Sequence, residues 1–150
     1  MAETLGSLCD KLTIVKLKQY HTVDEERLSS LQLQQQHLID EIDEFVSDAI
    51  TGLIPVKKLT FNANKVFKQE GNEVQEIKGT IGAVVSKLAE INCLLWHEQE
   101  KVYDFEKVPG LEKNRVVKQL ALLNLKRTKC IDEIDGSFSN IITEKAANNE

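Results

Sequence analysis

The chain has 150 residues and a net charge of -5, with 41% hydrophobic and 29% charged residues. That length suits one domain with a real core, and the balance is that of a folded chain rather than a disordered one. The acidic charge argues against nucleic-acid binding, which needs a basic face to displace counterions, and no apolar run approaches the roughly 20 residues that span a bilayer.

The opening Met-Ala-Glu-Thr has no basic stretch followed by an apolar one, so no signal peptide is expected. Cys9, Cys93 and Cys130 are odd in number and far apart, which reads as reduced thiols in a cytoplasmic protein. Only two prolines and seven glycines occur, so long regular elements are possible.

Thr4 is placed to cap a first helix, and Leu5, Leu8, Cys9, Leu12 and Val15 make one apolar stripe that predicts a helix from about Leu5 to His21. Thr22-Val23-Asp24-Glu25 has the form of a capping box and starts a second helix, with Ser29-Ser30 as the alternative turn. Leu28, Leu31, Leu38, Ile42, Phe45 and Ala49 line its inner face, and Gly52 and Pro55 end it near Ile50. Residues 51–79 lose the helical pattern, but Leu59, Phe61, Val66 and Phe67 are too apolar to float free. A long crossover packed on the bundle is expected, with room for a short helix or hairpin.

Thr80 caps the third helix, whose stripe is Ile81, Val84, Leu88, Ile91, Leu95 and Val102, stopping near Asp104. The fourth begins near Leu111 and uses Val116, Leu120, Leu123, Cys130, Ile131, Ile134 and Phe138, with fraying expected after Thr143.

The second half repeats the first. Thr4, Gly6, Lys11 and Leu12 fall on Thr80, Gly82, Lys87 and Leu88 at a constant offset, and Tyr20-His21 falls on Trp96-His97. Ile39 to Asp43 recurs letter for letter as Ile131 to Asp135, at an offset about 16 residues larger. The predicted fold is therefore all-α: an antiparallel four-helix bundle of two duplicated hairpins, repeat 1 over about 4–50 and repeat 2 over about 80–142, joined by the crossover. A twofold rotation should relate the hairpins. The extra length divides into about eight residues per arm, so the second hairpin should overhang the first by roughly 12 Å.

The duplicated acidic motif suggests paired carboxylates for metals, yet the 100° turn per residue puts Asp40, Glu41 and Asp43, and equally Asp132, Glu133 and Asp135, on flanks and solvent faces. No E-x-x-H, P-loop, G-x-S-x-G, H-E-x-x-H or C-x-x-C motif occurs, and no cofactor is expected. Gln35 and Arg127 are equivalent in the repeat and lie within apolar stripes; Gln32 and Asn124 are the equivalent pair on the edge. A polar side chain there needs partners. It forms either a structural layer, with Gln35, Glu90 or Asp10 as acceptor for Arg127, or an anion-binding site.

Helices 1 and 3 share a second stripe opposite the core: Asp10, Ile14, Leu17 and His21, then Ser86, Glu90, Cys93 and His97. Glu90, Cys93 and His97 have the spacing of a zinc row, but the first copy offers no matching Cys. Ile14 and Leu17 point instead to cover by the crossover or to homo-oligomerisation through helix 1 or helix 3.

At Leu5 to Ile14, Leu95-Trp96-His97 and Leu123 to Asp135 the chain resembles an uncharacterised bacterial family of unknown function, its Bacteroides-type members above all. The resemblance covers nearly the whole chain. It implies a helical cytoplasmic protein without an established activity, and the family's place near glycosyltransferase genes implies a role in glycan assembly. Gln35 departs from the Arg of the second motif. Two functions follow: an interaction module, self-associating or bound to another protein, or an enzyme or anion binder using Arg127, His97 and Glu90.

Overall fold

The structure, a computed structural model, describes residues 3–61 and 75–148. Four α-helices make it up, α1 (Leu5–His21), α2 (Glu25–Thr51), α3 (Ile81–Tyr103) and α4 (Gly110–Asn148), and no strand occurs among the described residues. The fold is the expected all-α bundle. The expectations for Val66, Phe67 and the middle of the crossover lie outside the described residues.

Local chemistry explains the boundaries. Thr4 caps α1: its Oγ1 accepts from the Ser7 N–H at 3.3 Å, while the Ser7 hydroxyl oxygen accepts from the Thr4 N–H at 2.9 Å. Asp24, not Thr22, caps α2, accepting from the Glu26 N–H at 3.2 Å, because Thr22 already closes the C-terminus of α1. Gly52 ends α2 in the left-handed conformation with φ 82°, a position that strains any side chain. Helix α4 does not fray at Thr143 but runs to Asn148, helped by Ile142, which is buried against the core.

The core joins Leu5 of α1, Ala49 of α2, Val84, Leu88 and Ile91 of α3, and Leu123, Cys130, Ile134 and Phe138 of α4. After Pro55 a single 3-10 turn, Val56–Lys58, delivers Leu59 into this core with no exposure at all. Burying one such side chain contributes about 2 kcal/mol, so the start of the crossover is anchored.

The expected twofold is broken. Helix α1 packs on α2, α3 and α4, whereas α2 packs chiefly on α1. A twofold would require α2 to meet α3 as α1 meets α4. Instead α2 reaches the second hairpin through its C-terminal half, where the Phe45 and Phe138 rings lie 6.1 Å apart. Helix α1 is thus the central element, and its second stripe faces inward: Asp10 is buried, and Ile14 lines the seam with α2 beside His37 and Leu38.

The overhang is present. His21, the last residue of α1, stacks on Trp96 with ring centroids 4.7 Å apart and planes at 21°. Helix α3 continues about seven residues beyond that contact to Tyr103, roughly 10 Å at helical rise.

Candidate functional site

The polar centre of the molecule forms where α1 crosses α3 and α4. Arg127 Nε donates to Asp10 Oδ1 at 2.8 Å and Nη2 donates to Oδ2 at 2.5 Å, a bidentate pair between α4 and α1. Asn92 of α3 donates through Nδ2 to the same Oδ1 at 2.9 Å and to Thr13 Oγ1 at 2.7 Å. The Thr13 hydroxyl in turn donates to the Asp10 carbonyl oxygen at 2.7 Å. The Asp10 side chain is 5% exposed and that of Arg127 33%. The Asp10 hydrogen bonds hold the Arg127 guanidinium above its ordinary range, against the effect of burial.

This arrangement decides what Arg127 can do. Its charge is met by a carboxylate in the fork geometry that a substrate anion would otherwise occupy. An anion competing for the same Nε and Nη2 donors would have to displace Asp10, whose buried carboxylate would then keep only the Asn92 amide. The site is built to lock three helices together.

A second polar node lies four residues back along α1 and eight residues on along α4. The Gly6 N–H donates to Asp135 Oδ1 at 2.7 Å. Asp135 is fully buried, and its Oδ2 has no hydrogen-bond partner among the described residues. Burial pushes its carboxyl up to about 6; the Gly6 N–H and the Thr4 hydroxyl pull the other way, and the Asp132 charge adds to the rise. Asp135 was expected on a solvent face. That expectation fails because α4 is covered on two sides, by α3 and by α1, so its buried sector is wider than one stripe. Cys9 lies nearby: burial, then the charges of Asp135 and Asp10, push its thiol up.

The repeat does not predict these roles. A Cβ on Gly6 would sit 2.5 Å from the Ile131 carbonyl oxygen, whereas one on Gly82 would meet nothing within 4 Å. Gln35, the counterpart of Arg127, is half-buried and accepts through Oε1 from Lys16 Nζ at 3.0 Å. Asn124 is half-buried and turns back on its own helix, donating to the Leu120 carbonyl at 3.1 Å, and Gln32 is exposed.

The remaining candidates are not assembled into a centre. Glu90, Cys93 and His97 are all exposed; Glu90 pairs with Lys87 at 3.7 Å and His97 Nδ1 lies 4.0 Å from Glu100. His21 is held by the Trp96 stack and, at Nδ1, by the Leu17 carbonyl at 2.9 Å. No group of three or more His, Cys, Asp or Glu able to hold a metal occurs among the described residues. No helix of the described residues is long and apolar enough to cross a membrane.

Sequence reasoning missed Asp135, Asn92 and Thr13. A glycine inside the first turn of α1 was a legible sign of close backbone approach, and Asp10-x-x-Thr13 places two polar groups one helical turn apart. Comparison with protein-family models, curated proteins and solved structures returns no match.

Proposed function

We propose that the chain is a helical interaction module that acts by self-association, rather than an enzyme. The observation that carries this reading is a contrast between two regions. The central polar network closes on itself through the Asp10–Arg127 pair. By contrast, the most exposed large apolar side chains among the described residues, each above 80%, stand at the end of the bundle where both hairpins turn: Tyr20 and Val23 on the first, Tyr103 and Leu111 on the second. Near-complete exposure of four large apolar side chains at the same end supports an interaction surface there. The family resemblance supplies a setting, glycan assembly, in which such a module would serve as an organising partner.

Arg127, His97 and Glu90 support an enzymatic reading less well, since each is engaged by a different neighbour: Asp10, Glu100 and Lys87. Sedimentation velocity with multi-angle light scattering across the micromolar range tests the proposal. A dimer or larger species in concentration-dependent equilibrium is expected. A monomer at the highest concentration overturns it.

A further inference from the structure

We propose that the first turn of α1 is a proton-controlled latch, shut on α4 while Asp135 carries a proton and released when that carboxyl ionises. The latch is independent of self-association and follows from how residues 3–9 are tied down. Their polar contacts are of two kinds. Those of Thr4 with Ser7, Glu3 with Ser7 and Glu3 with Lys11 stay within α1 and its cap, and they travel with it. Those toward another helix converge on one group: the Gly6 N–H reaches Asp135 Oδ1 at 2.7 Å, and the Thr4 hydroxyl faces the same carboxyl. One turn later α1 is pinned from two sides, because Asp10 is fixed to Arg127 of α4 and to Asn92 of α3. The first turn can therefore swing while the rest of the helix stays in place.

Closure seals the carboxyl. Asp135 is 0% exposed, and its Oδ2 has no hydrogen-bond partner among the described residues. An ionised oxygen in that state costs free energy that a neutral carboxyl does not. Its cover on the α1 side is the Gly6 backbone, which lies so close to α4 that a Cβ would sit 2.5 Å from the Ile131 carbonyl oxygen. Solvating the charge thus requires the turn to lift. Lifting uncovers Leu5 and Leu8, both buried when the latch is shut, and their burial provides the restoring force.

No neighbouring cation offsets the charge. Asp10 and Asp135 are the two buried charged residues among those described. On α1, Glu3 is engaged by Lys11 and Asp10 by Arg127, while the Cys9 thiol is itself pushed up and stays neutral at and below pH 7. On α4, the Asp132 charge opposes ionisation further. Helices α2 and α3 turn Phe45, Ala49, Val84 and Leu88 into this core. Lys87 of α3 acts on Cys130 instead, and Lys57 and Lys58 of the 3-10 turn are exposed. The Asp135 carboxyl rises from 3.8 to about 6 with the latch shut, first through burial. The tighter hold on the proton belongs to the shut form, so the latch is tightest below about pH 4 and loosens as pH rises to about 6.

Hydrogen exchange at the Gly6 amide, followed by NMR from pH 4 to 7 and corrected for intrinsic chemistry, tests the latch. The opening constant at Gly6 is expected to rise about tenfold between pH 5 and pH 7. It should exceed the opening constants of residues 14–17, beyond the Asp10 pin, at every pH. Small additions of urea should raise the opening of residues 14–17 and leave that of Gly6 nearly unchanged, the sign of local opening. Asp135→Asn, which keeps an acceptor for Gly6 and cannot ionise, is expected to abolish the pH dependence. A flat profile at Gly6 in the wild type overturns the latch, and so does a rise that survives in Asp135→Asn. Equal opening constants and equal urea dependence along α1 also overturn it, since the first turn would then open only with the whole molecule. Where Asp135→Asn fails to fold, the wild type decides: Gly6 opening must level off at the pH where the Asp135 carboxyl carbon titrates, and a clear separation of the two overturns the proposal.

Discussion

The backbone N–H of Gly6 reaches the buried carboxylate of Asp135 at 2.7 Å, and it does so because Gly6 has no side chain. A Cβ there would lie 2.5 Å from the Ile131 carbonyl oxygen and 2.9 Å from Asp135 Oδ1. The first atom belongs to a rigid helix backbone and cannot step aside, so α1 would have to lift from α4. Gly6→Ala should therefore cost about 1–3 kcal/mol as an overpacked contact, measured by urea unfolding. Gly82→Ala, at the equivalent position in the repeat, should be neutral or stabilising by up to about 1 kcal/mol, since Ala is the better helix former and the site is open. Equal effects at the two positions would refute the close crossing.

Asp135 makes stability depend on pH with a definite sign. Its carboxyl is raised from 3.8 to about 6 in the fold, first by burial. The folded state then binds the proton more tightly than the unfolded state. The associated stability is fully present below about pH 4 and is lost as pH rises through about 6. Asp135→Asn keeps an acceptor for the Gly6 N–H and removes the charge. The variant should gain on the wild type as pH rises from about 4 to 7, by up to roughly 3 kcal/mol at one pKa unit per 1.4 kcal/mol. The comparison between variants isolates this group from Glu3, which is lowered and works in the opposite direction. Parallel stability curves for the two proteins would show that Asp135 is not a strained acid.

The elements were legible because their signals are local. Thr4, Gly52 and Thr80 sit at helix ends, and apolar stripes run between them. The overhang was legible as well, from the unequal offsets of the two repeats. The packing of the halves was not, because identical letters in a repeat fix helix faces but not which neighbour covers them. Asp43 is exposed and Asp135 is sealed, although both end the same pentapeptide. Helix α2 has one main neighbour and α4 has two, and that difference arises from tertiary contacts far apart in the chain. The same asymmetry turns Arg127 into a lock on Asp10 while Gln35 merely takes a surface lysine.

Thiol chemistry provides an independent check on burial. Cys93 is exposed, Cys9 is half-buried and Cys130 is buried. Burial pushes the Cys130 thiol up to about 11 and raises Cys9 as well, so neither offers much thiolate near neutrality. A neutral disulfide reagent should modify one thiol quickly in the native protein and the other two only on unfolding. Mass mapping should place the fast label on Cys93. Fast labelling of Cys130 would contradict the packing of α4 against α3.

The Asp10–Arg127 pair should show strong coupling rather than a large contribution of its own. Arg127→Met removes the charge but strands Asp10, whose side chain is 5% exposed, with the Asn92 amide as the remaining partner of its carboxylate. Asp10→Ala strands a guanidinium that cannot shed its proton. Breaking a buried pair typically costs about 3–5 kcal/mol. Here the Arg127 side is a third exposed, so solvent screens part of that loss and Asp10→Ala should cost less than Arg127→Met. The double variant Asp10→Ala with Arg127→Met leaves no unpaired charge and retains the Asn92–Thr13 hydrogen bond. It should be less damaging than the two single changes added together, with a coupling energy of about 1–3 kcal/mol. Chemical denaturation of the four proteins at neutral pH measures this coupling. Additive effects would mean that the two side chains do not meet in solution and would reopen Arg127 as a binding residue.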